Sequence, residues 1–205
     1  MANDAPHDQP AAAFRILGRR PLHRGFLSLD ACEVEVVTRD GRRVRYEREV
    51  EHHGAAVAIL TYDATRRVAV LVRQVRVPAA VIGLDPLTTE VVAGLIDGDE
   101  APEAAARRET IEEVGLAIGA LEPVGAVQSA PGWTTETLHL FLAEVDLGRD
   151  RVADGGGAAH EQEYIEIVEM PLAALAAAAD AGTLNDMKTL LLVQTLRLRR
   201  PVLFA

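Results

Sequence analysis

The sequence predicts an α/β protein built as an α/β/α sandwich around a mixed sheet, with an N-terminal antiparallel β-hairpin appended to it. Three observations lead there. Short apolar or alternating runs recur along most of the 205 residues, the mark of strands. Helix signals interrupt these runs over 102–114, 171–181 and 186–199. The chain is 49% hydrophobic, enough to bury one good core.

Residues 1–24 are expected to be a flexible lead-in, because MANDAPHDQPAAAF is rich in small and polar residues. The appendage, a dimerisation hairpin, is expected over 25–54. Residues 31–38 alternate as a strand, Arg39-Asp40-Gly41-Arg42 reads as a turn, and Val44 to Val50 is the returning strand. The main domain is expected over 55–200. Ala55–Tyr62 and Val68–Val75 are apolar strands, and 77–89, broken by Pro78, Gly83 and Pro86, reads as a loop. A strand over 90–92 leads through Ala93-Gly94 into a helix over 102–114, which Pro102 opens and Gly115 closes. Strands over 122–129 and 137–146 follow, then a glycine-rich loop over 147–162 and a strand over 164–168. Gly182 stops the helix over 171–181. Asn185 is expected to cap a last helix over 186–199 with Leu190, Leu191, Leu196 and Leu198 apolar.

The helix over 102–114 carries the strongest chemical signal. Glu109 and Glu113 are one turn apart and Glu112 lies beside them, so three carboxylates crowd together. Like charges at this spacing destabilise a bare helix. Residues 90–113 hold eight acids against two bases, net −6 of a chain total of −10. Such a run is either a solvated face or a cradle for a hard cation such as Mg²⁺ or Mn²⁺, which takes oxygen ligands. Arg108 is placed to pair with Glu112, and Glu100 to fold back onto it.

The segment resembles the Nudix box, G-x5-E-x7-R-E-U-x-E-E-x-G-U. Gly94, Glu100, Arg108, Glu109, Glu112, Glu113 and Gly115 occupy every fixed position, and Leu116 the last aliphatic one. Thr110 departs at the first aliphatic position and brings a hydroxyl to a packing site. Over about residues 25–200 the chain is similar to the ADP-ribose and GDP-mannose pyrophosphatase branch. The similarity runs through Arg48-Glu49-Val50, Arg73-Gln74-Val75-Arg76, Ala130-Pro131-Gly132, Gly155-Gly156-Gly157 and Asp186-Met187-Lys188.

The resemblance implies a Nudix fold and a hydrolase that splits a nucleoside diphosphate sugar into a nucleoside monophosphate and a sugar phosphate. It implies Mg²⁺, with Mn²⁺ as a substitute, held by Glu109, Glu113 and the Ala93 carbonyl. Glu112 is then a ligand or the partner of one. Glu163 is a metal ligand or the general base, with Glu161 its nearest substitute, and Glu136 is a second candidate acid beside the substrate. Arg48, Glu49, Arg76 and Lys188 match substrate-binding positions. The N-terminal hairpin implies a homodimer with shared sites. Gly25 stands where an aromatic contact is expected, and Trp133 is a candidate stacking surface. Adjacent His52 and His53 point to opposite faces of a strand, against a two-histidine metal site.

Composition limits the alternatives. A single cysteine, Cys32, excludes an internal disulfide and is expected to be buried, which fits a reducing cytoplasm. Net −10 opposes bulk binding to nucleic acid or membrane, and no apolar run reaches the length of a membrane span. Two other readings stay open: a non-catalytic sensor of ADP-ribose-like ligands, and a Nudix hydrolase of another nucleoside diphosphate derivative.

Overall fold

Alternation in Ala55–Asp63 sets the architecture. Ala56, Ala58, Leu60 and Tyr62 face one apolar cluster, and Val57 and Ile59 face another, all buried. A strand buried on both faces needs a layer on each side, so the sheet is sandwiched. The computed structural model describes residues 13–157 and 164–205. They divide into two units, one of the described residues up to His53 with Ser129–Glu136, the other of Gly54–Gln128 with those from Thr137 onward.

In the larger unit, β4 (Ala55–Asp63) lies between β5 (Val68–Val75) and β9 (Thr137–Glu144), with β10 (Glu166–Pro171) outside β5 and β8 (Glu122–Gln128) outside β9. Two short strands, β6 (Leu87–Glu90) and β7 (Val92–Leu95), pair with β5 and β4 respectively. The β4–β9 pairing is parallel and the others are antiparallel, which makes the sheet mixed as expected. Helix α2 (Pro102–Val114) covers one face through Ala105, Ala106 and Val114. Its small side chains let the backbone lie close to the sheet. Helices α3 (Leu172–Asp180) and α4 (Met187–Arg199) cover the other face through Leu172, Leu175, Leu192, Val193 and Leu196. Each fully buried leucine contributes about 1.5–3 kcal/mol relative to exposure.

In the smaller unit the expected hairpin is present, and a third strand extends it into a three-stranded antiparallel sheet. Its order is β1 (Phe14–Arg24), β2 (Ser28–Val37), β3 (Arg43–His52). Residues 14–24, expected within the lead-in, form β1, paired along most of β2. One buried carboxylate ties the three strands: Glu35 on β2 accepts from Arg15 on β1 at 2.6 Å, and from Arg45 at 3.0 Å and Arg43 at 3.3 Å on β3. The hydrogen bond from Arg15, then that from Arg45, hold its pKa down at about 2. A carboxyl depressed from 4.5 in this way stabilises the fold above pH 4.5 and loses that contribution as pH falls towards 2. Thermal melts of the wild type and Glu35→Gln should therefore differ most near neutral pH and converge through that window. A gap constant down to pH 2 would contradict the assignment.

Two further expectations are corrected. The stretch read as a loop over 77–89 contains the short helix α1 (Val77–Val81) and most of β6. Asp186, not Asn185, caps α4, accepting from the Thr189 N–H at 3.0 Å. Helix α4 buries Leu192 and Val193 along with Leu196, while Leu190, Leu191 and Leu198 are exposed. Cys32 is buried. Among the described residues no helix is long and apolar enough to cross a membrane.

Candidate active site

The carboxylate face forms because β7 and α2 are joined by a loop short enough to lay the helix against the strand. Pro102 begins α2, and Gly115 ends it at φ 69°, with its N–H donating to Ile111 O at 3.0 Å. A side chain at 115 would also meet the Ala153 carbonyl at 2.0 Å, so glycine is required twice over. Arg108 ties the loop to the helix. It donates to Glu100 at 2.9 and 3.3 Å, to the Leu95 carbonyl at 3.0 Å, to Glu109 at 2.6 Å and to Glu112 at 3.2 Å. The hydrogen bond to Glu100 leads in raising the Arg108 pKa, and the same bond lowers that of Glu100. The expected Glu100–Arg108 pair is thus a two-bond clasp.

Helical spacing then sorts the three glutamates. Glu109 and Glu113 turn inward, 9% and 1% exposed, while Glu112 stands at the helix surface. Glu113 Oε2 accepts from the Ala93 N–H at 3.1 Å. The Glu109 carboxylate occupies the place a Cβ on Gly94 would take, 2.0 Å from that position. Two carboxylates and the main chain of 93–94 therefore form one oxygen-rich cradle. Its hard donors suit Mg²⁺ or Mn²⁺. Among the described residues no three His, Cys, Asp or Glu side chains gather closely enough to hold an ion by themselves. Thr110, the departure from the box, is fully buried, and its hydroxyl donates to the Ala106 carbonyl at 2.7 Å, so the polar group is satisfied.

Gly156 and Gly157 close over the end of α2. Gly156 N–H donates to the Glu113 carbonyl at 2.9 Å and Gly157 N–H to the Glu112 carbonyl at 3.0 Å, supplying orphan carbonyls of the helix. Ile165 N–H returns to Gly156 O at 3.3 Å. Glu161 and Glu163 lie outside the described residues.

Two expected substrate residues of this unit meet on one carboxylate the sequence reading passed over. Glu90, 3% exposed, accepts from Arg76 at 2.7 and 2.9 Å and from Lys188 at 3.0 Å. Lys188 also reaches Asp186 at 2.7 Å. Burial works hardest against the Lys188 charge, but Asp186 and Glu90 outweigh it and hold the ammonium above its usual pKa. The signal for Glu90 is a lone acid beginning the apolar run Val91-Val92-Ala93.

In the smaller unit, Arg48 lies 4.4 Å above the Tyr46 ring and donates to the Glu47 carbonyl, and Glu49 is exposed beside it on β3. Glu136 sits 3.9 Å from His53, whose other ring nitrogen is 3.4 Å from Glu51. Glu51 is buried, meets the Thr134 hydroxyl, and accepts from and donates to the backbone of 133–135. His52 turns the other way, to Asp30 at 3.2 Å. Trp133 is exposed on the turn this anchors.

The chain belongs to the NUDIX domain family, which residues 52–191 match. Members generally need a divalent metal ion. Within the family the chain is 40% identical over 179 residues to the GDP-mannose pyrophosphatase of Cronobacter sakazakii, spanning 87% of this chain and 92% of that one. It is 36% identical over 178 residues to the protein of the same name from Salmonella arizonae, spanning 86% and 91%. Among solved structures, the crystal structure of an ADP compounds hydrolase shares the fold with a TM-score of 0.71. That match is 21% identical and covers 92% of this chain and 95% of the other.

Proposed function

We propose that this chain is a Mg²⁺-dependent pyrophosphatase, able to use Mn²⁺, that hydrolyses a nucleoside diphosphate sugar, GDP-mannose foremost, to a nucleoside monophosphate and a sugar phosphate. The observation that carries the reading is the pair of inward carboxylates, Glu109 and Glu113, held against Ala93 and Gly94. The names of the relatives at 36–40% identity favour GDP-mannose over ADP-ribose.

Glu109, Glu113 and the Ala93 carbonyl would hold the ion. When bound, it neutralises charge on the diphosphate and lowers the pKa of a coordinated water. Glu163 completes the cradle as a ligand or as the base. Support for that role comes from Gly156 and Gly157, which bond the last turn of α2, and from Ile165, which bonds Gly156. Arg76 and Lys188 receive phosphate oxygens. Arg48, Glu49 and Glu136 belong to nucleoside or sugar recognition, and the Tyr46 ring keeps the Arg48 guanidinium flat and in place. The intact carboxylate set disfavours a non-catalytic sensor. A cytoplasmic setting fits the single buried cysteine.

Phosphate release from a panel of nucleotide sugars, coupled to a phosphatase, tests the reading. GDP-mannose with Mg²⁺ should rank at or near the top, and EDTA should remove the activity. Full turnover in chelator would sink the metal mechanism.

We also propose a homodimer. Strand β1 is exposed along all eleven residues, an edge strand carrying half-exposed Phe14, Ile16, Leu17 and Leu22. An edge strand with four exposed apolar side chains invites cover, and a symmetric partner provides it. Light scattering should give a mass near twice 22.0 kDa. Mixed Arg48→Ala and Glu113→Gln subunits, each weak alone, should partly recover activity if Arg48 serves the partner's site. A fully active monomer would refute the dimer.

A further inference from the structure

Among the described residues, Glu90 is a deeply buried carboxylate near the cradle to which the proposed reaction gives no task. It takes the Nε and Nη2 edge of Arg76 with its two oxygens, at 2.7 and 2.9 Å, and shares Oε2 with Lys188 at 3.0 Å. Lys188 is held a second time by Asp186 Oδ1 at 2.7 Å. Asp186 is itself fixed, because Oδ2 accepts from both the N–H and the hydroxyl of Thr189. The Thr189 hydroxyl in turn accepts from Val91 N–H at 2.8 Å, the residue next to Glu90. The ring of contacts therefore joins the start of α4 to the β6–β7 junction. Two residues beyond Val91, the Ala93 N–H holds Glu113. Arg76 also feels the Glu113 charge directly.

Two cations this close repel unless an anion lies between them, and two long side chains wander unless something holds them. Glu90 does both. Its grip is on the inner edge of the guanidinium. Nη1 has no partner among the described residues, and part of the Arg76 side chain stays open to solvent. A guanidinium clamped along one edge presents its other edge in a fixed plane, the geometry that phosphate oxygens need.

We propose that Glu90 is a positioning residue for the diphosphate: it aims Arg76 and Lys188 so that their remaining donors meet the anionic oxygens. The inference rests on the reading of Arg76 and Lys188 as phosphate contacts given above, and its test is separable from the choice of substrate. The probe is inorganic pyrophosphate, with binding measured by calorimetry in Mg²⁺ buffer on the full-length protein. Glu90→Gln removes the charge. Glu90→Asp keeps it but is one methylene too short to span both cations. Each should weaken pyrophosphate binding roughly ten- to a hundredfold, the scale of a small misplacement at a reacting group. With GDP-mannose the loss should fall on KM more than on kcat. The effect should shrink sharply in an Arg76→Ala, Lys188→Ala background.

A purely structural Glu90 would instead lower the melting temperature and leave pyrophosphate affinity and KM alone, overturning the proposal. So would a wild type that binds no pyrophosphate, or a Glu90 effect undiminished without the two cations. If Glu90→Gln fails to fold, Glu90→Asp decides. If pyrophosphate binding responds as expected while no nucleotide sugar is hydrolysed, the proposed function fails and the assignment of Glu90 stands.

Discussion

Gly94→Ala should cut turnover by roughly a hundredfold or more while leaving the protein folded, a loss on the scale of an ångström's misplacement of a catalytic group. A methyl at 94 would lie 2.0 Å from the Glu109 carboxyl carbon and from Oε1, and 2.3 Å from Oε2. No such contact survives, so something must move. The atoms in the way are the far end of one side chain rather than backbone, and a rotation about its bonds clears them without moving the strand. That same rotation takes a ligand oxygen out of the cradle and loosens its 2.6 Å bond to Arg108. Steady-state kinetics should show the loss in kcat, and a metal titration should show weakened activation by Mg²⁺. A melting temperature near that of the wild type should accompany both. Normal turnover in the variant would remove Glu109 from the site.

Glu113→Gln should be comparably damaging for a different reason. Gln keeps an oxygen to accept from Ala93 N–H but surrenders the charge at a position that is 1% exposed. Losing the outer partners of a metal ligand already costs about 10–100-fold, so losing a ligand's charge should cost more. Glu100→Gln is the control. Among the described side chains Glu100 is held by Arg108, at 2.9 and 3.3 Å, and clasps the loop. Its loss should lower the melting temperature and reduce kcat by no more than about tenfold, as expected for a partner that only orients others. Equal kcat losses with unchanged melting for both variants would contradict this division of labour.

What was legible in the sequence followed from local signals. Helix α2 begins and ends where Pro102 and Gly115 place it, and the box residues fall on its inner and outer faces as the 3.6-residue period requires. The mixed sheet was legible from apolar runs. What was missed depends on partners distant in the chain. Strand β1, FRILGRRPLHR, carries arginines, a glycine and a proline. It becomes a strand through its pairing with β2 and the salt bridge from Arg15 to Glu35. Short β6 is defined by β5, not by its own four residues. The Glu90 cluster joins residues 98 positions apart, and no spacing rule reaches that far. His52 and His53 read as neighbours on a strand, yet His53 and the buried Glu51 meet residues of 133–136.

The most direct test of the account is the identity of the two products of GDP-mannose turnover, read by ³¹P NMR or mass spectrometry of the quenched reaction. Cleavage at the phosphoric anhydride, the bond that the proposed roles of the Glu109–Glu113 cradle and the Arg76–Lys188 pair address, predicts GMP and mannose 1-phosphate in equal amounts. GDP and free mannose would mean that the anhydride bond survives and would contradict it.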